Sequence, residues 1–142
     1  MPYTFTTIAG TAGSAGSVDG TGSAARFYQP AGVALDTAGN LYVAENGNHT
    51  IRKMTPAGTN WAVTTLAGLA GHPGSADGTN SAVRFNTPNY LWLDSAGSVY
   101  VSDWGNATIR KMTPVGTNWV VSTGLTSGPS WWRRWHEQRR TV

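Results

Sequence analysis

Cysteine is absent from this 142-residue chain, so neither disulfides nor thiolate metal sites are available to it. Charge is scarce, with ten Lys/Arg, seven Asp/Glu and three His. No apolar run approaches the ~18 residues that a membrane-spanning helix needs, and no membrane partner is expected. The opening residues, Met1-Pro2-Tyr3-Thr4-Phe5, show neither a basic n-region nor an apolar h-region, so no secretory signal is expected there and the compartment stays open. No Ser sits in a Gly-x-Ser-x-Gly elbow and no Ser-His-acid set is evident, which leaves nucleophilic catalysis without support. The Gly-rich stretches Gly10 to Gly22 and Gly68 to Gly78 contain no Gly-Lys-Ser/Thr and open no helix; they read as flexible crossings and not as phosphate cradles.

The excess of positive charge is local. Residues 131–142 hold four Arg against one Glu, and the other 130 residues carry six basic and six acidic side chains. All of the formal +3 therefore belongs to the last twelve residues. A neutral body lacks the electrostatic footprint of a nucleic-acid binder, so neither DNA nor RNA is expected as a partner.

What the chain does have is internal repetition. Residues 7–64 align with 65–122 without a gap, and 35 of the 58 positions are identical. Thr7 falls on Thr65, Asp36 on Asp94, Arg52-Lys53-Met54 on Arg110-Lys111-Met112, and Trp61 on Trp119. A period of this length marks a repeat architecture, in which one unit stacks on a neighbour to bury its apolar face. Two units are too few to finish such a structure, so the chain is expected to associate with copies of itself.

Period-2 alternation and turn residues locate four strands in each unit. In the first copy they are Gly32 to Asp36, Leu41 to Glu45, Thr50 to Met54 and Trp61 to Leu66, separated by Ala38-Gly39-Asn40, Asn46-Gly47-Asn48 and Pro56-Ala57-Gly58. A Gly/Ser/Ala-rich stretch of about twenty residues, Gly68 to Pro88 in the second copy, then leads to the next unit. Four antiparallel strands and a longer crossing are the plan of one β-propeller blade.

Pro30-Ala31-Gly32-Val33-Ala34-Leu35-Asp36, Gly39-Asn40-Leu41-Tyr42-Val43-Ala44-Glu45 and Gly47-Asn48-His49-Thr50-Ile51-Arg52-Lys53 closely resemble the NHL repeat, and Pro88 to Lys111 repeats the pattern with Ala107 for His49. The Asp19-Gly20 and Ala25-Arg26-Phe27 segments, echoed by Asp77-Gly78 and Val83-Arg84-Phe85, look like the long-loop bacterial variety. The resemblance covers residues 3–123. It implies an all-β propeller of four-stranded antiparallel blades, two per chain, closing as a six-bladed ring by homotrimerisation. Proteins of this family are often extracellular or periplasmic. The domain reading is two blades over residues 1–123 and a non-repeat, Trp/Arg-rich tail over 124–142.

The ends of this repeat region create a competition. Residues 3–8 match the fourth strand at 61–66, and 118–123 form another fourth strand, so three outer strands serve two blades. In the tail, Trp131, Trp132 and Trp135 concentrate apolar area, and a short helix would place Trp131 and Trp135 on one face. The tail is expected to dock on the propeller with its Arg side chains solvated.

Candidate functional residues follow from the propeller plan, in which equivalent loops converge at the axis. The face bearing the second-to-third-strand loops carries Glu45, Asn46, Asn48 and His49 from one blade and Asp103, Trp104, Asn106 and Ala107 from the other. The crossings add Asp19, His72 and Asp77. Asn89, Tyr90 and Trp92 lie at the inner-strand starts. Tyr90 and Trp92 either fill the channel or stack a small-molecule ligand; Asn48 and Asn106 either bind backbone in their loops or face a ligand. Asp36 and Asp94 are expected to cap the turns that follow them, and Arg26 and Arg84 to pin the long loops. His49 reads either as a polar surface residue or, multiplied by threefold symmetry, as one of three zinc ligands with an open fourth position. His72, His136 and Asn89 are the next metal candidates, Asn89 suiting calcium. Two functions remain open: a non-catalytic binding or scaffold module, and a minimal metal-dependent hydrolase of an activated ester, lactone or phosphotriester whose site forms only in the trimer. Six-bladed propellers similar to this one include metal-dependent lyases, lactonases and organophosphate hydrolases, which take their ligands mainly from inner-strand starts. Those positions here are Ala31 and Asn89.

Overall fold

The computed structural model describes residues 1–124 and is all β, with two antiparallel sheets, one for each repeat. The first sheet contains β1 (Gly20–Thr21), β2 (Pro30–Leu35), β3 (Leu41–Glu45), β4 (Thr50–Ala57) and β5 (Asn60–Gly68), in the order β1-β5-β4-β3-β2. The second contains β6 (Gly78–Thr79), β7 (Pro88–Leu93), β8 (Val99–Asp103), β9 (Thr108–Val115) and β10 (Asn118–Ser122), in the matching order β6-β10-β9-β8-β7. Each unit thus has five strands where four are expected. The added strand is two residues of the long crossing that fold back on the outer strand, pairing Gly20 with Val63 and Gly78 with Val121.

Local chemistry explains where the strands stop. Asp36 closes the β2–β3 turn, its carboxylate accepting from the backbone N–H groups of Ala38 and Asn40 at 2.9 and 2.8 Å and from Asn40 Nδ2 at 2.8 Å. Asp94 repeats the backbone contacts on Ala96 and Ser98. Burial pushes the Asp36 carboxyl up, but these hydrogen bonds outweigh it and hold the group below its ordinary range. Tyr42 donates to the same carboxylate; burial and the adjacent charge push its phenol up to about 12.

The core forms between the sheets as much as within them. Tyr42, Ala44, Ile51 and Ala67 of the first blade pack against Val83, Phe85, Val99, Val101, Met112, Trp119 and Val121 of the second. Tyr42 meets Trp119 edge to face, with ring centroids 5.9 Å apart. The inner strands β2 and β7 approach closely at Gly32, where an added Cβ would stand 2.2 Å from the Asn89 carbonyl oxygen. Only glycine fits that contact. A second cluster (Ala25, Val43, Met54 and Val63, flanked by Ala9, Phe27, Leu41 and Trp61) lies in the first blade on the side away from the second.

Residues 3–8, expected as an extra outer strand, have no strand structure, and Tyr3 and Phe5 are each 92 % exposed. The physical reason is that the stretches of β4 and β9 that residues 3–7 would cover are already taken by β5 and β10. The expected tail helix around Trp131, Trp132 and Trp135 lies outside the described residues. Among those described, no helix is long and apolar enough to cross a membrane.

Candidate functional site

The loop-bearing face is organised from below by a buried arginine in each blade. Arg52 lies in β4 with no exposed side-chain surface. Its guanidinium donates to Glu45 Oε2 and Asp19 Oδ1, both at 2.8 Å, and to the carbonyls of Arg26 and Val18 at 3.1 and 3.0 Å. It also lies over the Phe27 ring, 5.2 Å from the centroid. Arg110 repeats each contact on Asp103 (3.0 Å), Asp77 (2.7 Å), the Arg84 and Ala76 carbonyls, and Phe85. The two cations therefore tie the second, third and crossing segments of each blade together. An isolated buried charge would be costly, and here each is paired and hydrogen-bonded.

Glu45 and Asp103 are not on the open face where the sequence places them. Both are fully buried, because their oxygens are taken by the arginine, by an asparagine and by backbone. Glu45 accepts from the Tyr28 N–H, Asn48 Nδ2, Thr50 Oγ1 and Arg52. Asn48 and Asn106 also donate across 32 residues to the Gly16 and Gly74 carbonyls, at 2.8 and 2.7 Å, and so pin the crossings. Asp103 is one methylene shorter than Glu45. Thr50 reaches its glutamate, whereas Thr108 Oγ1 is buried without a partner among the described residues. Arg26 and Arg84 donate to carbonyls of their own crossings, at Ser23 and Ala25 and at Ser81 and Val83.

Asp19 and Asp77 hold the outer strands as well as the arginines. Asp77 accepts from the Thr123 N–H at 3.1 Å and the Thr123 hydroxyl at 2.6 Å, as Asp19 does from Thr65. Partial burial pushes the Asp77 carboxyl up, but Thr123 and Arg110 outweigh it and keep the group below the usual carboxylate range.

His49 sits between the blades in a left-handed conformation (φ 60°), its Nδ1 accepting from the Thr87 N–H at 3.0 Å. That acceptor role puts the ring proton on Nε2. Ala107 replaces it in the second blade, so this inter-blade hydrogen bond belongs to the internal junction. His72 is exposed on the second crossing, with Nδ1 2.9 Å from the Ala70 carbonyl oxygen, and His136 lies outside the described residues. Asn89 lies at the inner-strand contact with Gly32. Among the described residues no three His, Asp or Glu side chains gather in a way that could hold a metal ion.

Three of the exposed candidates are aromatic. Tyr90, Trp92 and Trp104 are 70, 62 and 70 % exposed, and Trp92 leans on Tyr100 with centroids 5.4 Å apart. Open clefts of 470 Å³ beside β5 and 530 Å³ beside Ala9 and Phe27 have no titratable side chain in their linings. Among the described residues the chain offers aromatic stacking surfaces and apolar faces, while the buried arginines and the carboxylates they meet are spent on structure.

Comparison with known proteins agrees with this architecture. A sequence model of the NHL repeat matches residues 27–54. The bovine protein named NHL repeat-containing protein 2 is 37 % identical over 99 residues, which is 68 % of this chain and 13 % of that protein. An auxiliary nutrient binding protein from Bacteroides ovatus superposes with a TM-score of 0.66 at 30 % identity, over 76 % of this chain and 28 % of the other. A Bacteroides thetaiotaomicron protein of unknown function does so with a TM-score of 0.69 at 27 % identity, over 81 % of this chain and 27 % of the other. The chain spans between 9 and 13 % of the length of the curated relatives that it matches.

Proposed function

Because this chain belongs to the NHL-repeat family, we propose that it is a self-assembling binding module in which three copies close head to tail into a six-bladed propeller. The observation that carries this reading is a pair of complementary half-junctions. Ile51 is fully buried between the blades, while its equivalent Ile109 is 65 % exposed on the far side of the second blade. Conversely, Leu91 and Leu93 of the second blade pack against the internal core, and their equivalents Val33 and Leu35 are 59 and 63 % exposed on the first. Each outer face of the chain thus lacks the partner that the chain itself supplies at its other end. Such a heterologous contact must close into a ring to bury every copy of both faces.

The two kinds of junction are not identical. Tyr90 stands where the internal junction requires Gly32, so the junction between copies is wider at the inner strands. Tyr90 and Trp92 then line the axis as stacking surfaces for a small-molecule ligand. The nutrient-binding function named for the Bacteroides ovatus protein is in keeping with a ligand there.

Two charge insertions test the head-to-tail arrangement. Ile109→Asp spoils one face and Val33→Asp the other, and each variant alone is expected at the monomer mass of 15.0 kDa in native mass spectrometry. Mixed, the two retain one matching pair of faces and should give a capped dimer of twice that mass. A mixture that stays monomeric while the unmodified chain assembles contradicts the head-to-tail arrangement.

A further inference from the structure

We infer that the outer strand of the second blade is assembled from two chains: its own Asn118–Thr123, continued by Ile8-Ala9-Gly10 of another copy. This deepens the ring reading above and rests on it.

The first blade shows what a complete outer strand looks like. There β5 covers β4 from Ala57 to Thr50, with Ile51 facing Ala67 and Thr50 facing Gly68. In the second blade β10 pairs with β9 only from Val115 to Lys111. Among the described residues no strand covers Thr108, Ile109 and Arg110. Beside this gap lies a hollow of 210 Å³, lined by Tyr100, Ile109, Lys111, Ser122, Thr123 and Gly124. The uncovered segment also contains Ile109, which is 65 % exposed where Ile51 is buried. Unpaired strand edges of this kind are templates for another chain.

The residues that should fill the gap are wrong in the chain's own continuation. Gly68 has φ +93°, and a Cβ there would stand 2.4 Å from the His49 carbonyl oxygen. The repeat puts Thr126 at the equivalent place after β10, with Leu125 for Ala67 and Gly124 for Leu66. A β-branched residue is unsuited both to that φ and to that approach. Ile8-Ala9-Gly10 keeps the pattern of Leu66-Ala67-Gly68, and Gly10 already has φ +90°. An added Cβ on Gly10 would meet the Phe27 ring at 3.2 Å, as one on Gly68 meets Phe85 at 3.3 Å. Ala9 likewise packs on the first-blade cluster as Ala67 packs in the junction core. The first blade therefore presents Gly10 with the φ, and Ala9 with the packing, that the gap requires.

The preceding residues favour the chain's own strand. Trp119 and Val121 repeat Trp61 and Val63 and are buried. Complete donation of residues 3–10 would place Tyr3 and Phe5 at those two positions, forcing a phenyl ring into a slot that holds an isopropyl group at 1 % exposure. Each segment fits one half of the strand, and the handover falls at Thr123 and Thr7, which are equivalent.

The absence of cysteine makes engineered disulfides in the full chain a clean test. The pair Ala9→Cys/Ile109→Cys, at the register of Ala67 and Ile51, should give covalent dimers and trimers under air oxidation. Thr113→Cys/Val120→Cys should close within one chain, and Thr4→Cys/Thr113→Cys should remain uncross-linked. Cross-linking of Thr4→Cys/Thr113→Cys between chains, with Thr113→Cys/Val120→Cys left open, overturns the shared strand in favour of complete donation. If Ala9→Cys/Ile109→Cys stays uncross-linked in particles of three chains, the ring stands and the shared strand falls. If the unmodified chain is monomeric by mass, both fall together.

Discussion

At the scale of single residues, the most consequential contacts are the two buried arginines. Replacing Arg52 by Met removes the cation from the fully buried Glu45 carboxyl, and the loss expected is about 3–5 kcal/mol in urea unfolding. A smaller change works in the opposite direction. Asp103→Glu restores the acid found in the first blade and gives Thr108 Oγ1 the acceptor that Thr50 has, so a gain of about 0.5–1.5 kcal/mol is expected. Unchanged or lowered stability in Asp103→Glu would show that the second blade has relaxed around the shorter acid. This network was hard to read from sequence, because an arginine inside an alternating strand looks solvent-facing. Its signal was present in duplicate: an acid seven residues before each arginine, Glu45 and Asp103, and an aspartate 33 before, Asp19 and Asp77.

The pH dependence also belongs to single residues. Asp36 and Asp77 have carboxyls held below their ordinary values, so their contribution is present above the unfolded value near pH 4 and is lost as pH falls through the folded values. Tyr42 has the opposite sign. Its phenol is raised from 10.0 to about 12, so its contribution is intact below pH 10 and is lost between there and about pH 12. Thermal unfolding across pH 9–12 should show that alkaline decline, and Tyr42→Phe should flatten it. A decline of unchanged steepness in Tyr42→Phe would assign it to another group.

At the scale of elements, turn chemistry made the strands legible. Asp36-Thr37-Ala38-Gly39-Asn40 and its copy fix the β2–β3 and β7–β8 turns, and the eight longer strands fall close to where alternation puts them. The two-residue β1 and β6 are too short to carry any periodicity, so the fifth strand of each sheet was not readable. Gly32 tests the packing of one element on the next. Gly32→Ala drives a methyl group into the backbone of β7 at Asn89, and separation of β2 from β7 should cost about 1–3 kcal/mol. Gly124→Ala, at a glycine with open space around the added methyl group and no left-handed φ, controls for the loss of glycine as such. Equal effects of the two substitutions would mean that the inner strands do not depend on close approach.

At the scale of the whole molecule, repetition was the most readable property, and it predicts both a stacked core and its incompleteness. Seven of the eleven buried residues in the inter-blade cluster come from the second repeat and four from the first, so the junction is built from unlike faces of the same unit. The exposed aromatics at the inner strands were equally visible, since Tyr90 and Trp92 replace Gly32 and Ala34 in the alignment. The structural role of His49 was not, because it depends on the Thr87 N–H, 38 residues away in sequence. The expectation of ring closure rests on the exposed Val33, Leu35 and Ile109, and absolute mass addresses it without any mutation. Light scattering across a concentration series should give a constant ~45 kDa, three times the 15.0 kDa of the chain. A constant 15.0 kDa, or a mass that grows without limit as concentration rises, would contradict closure by three copies.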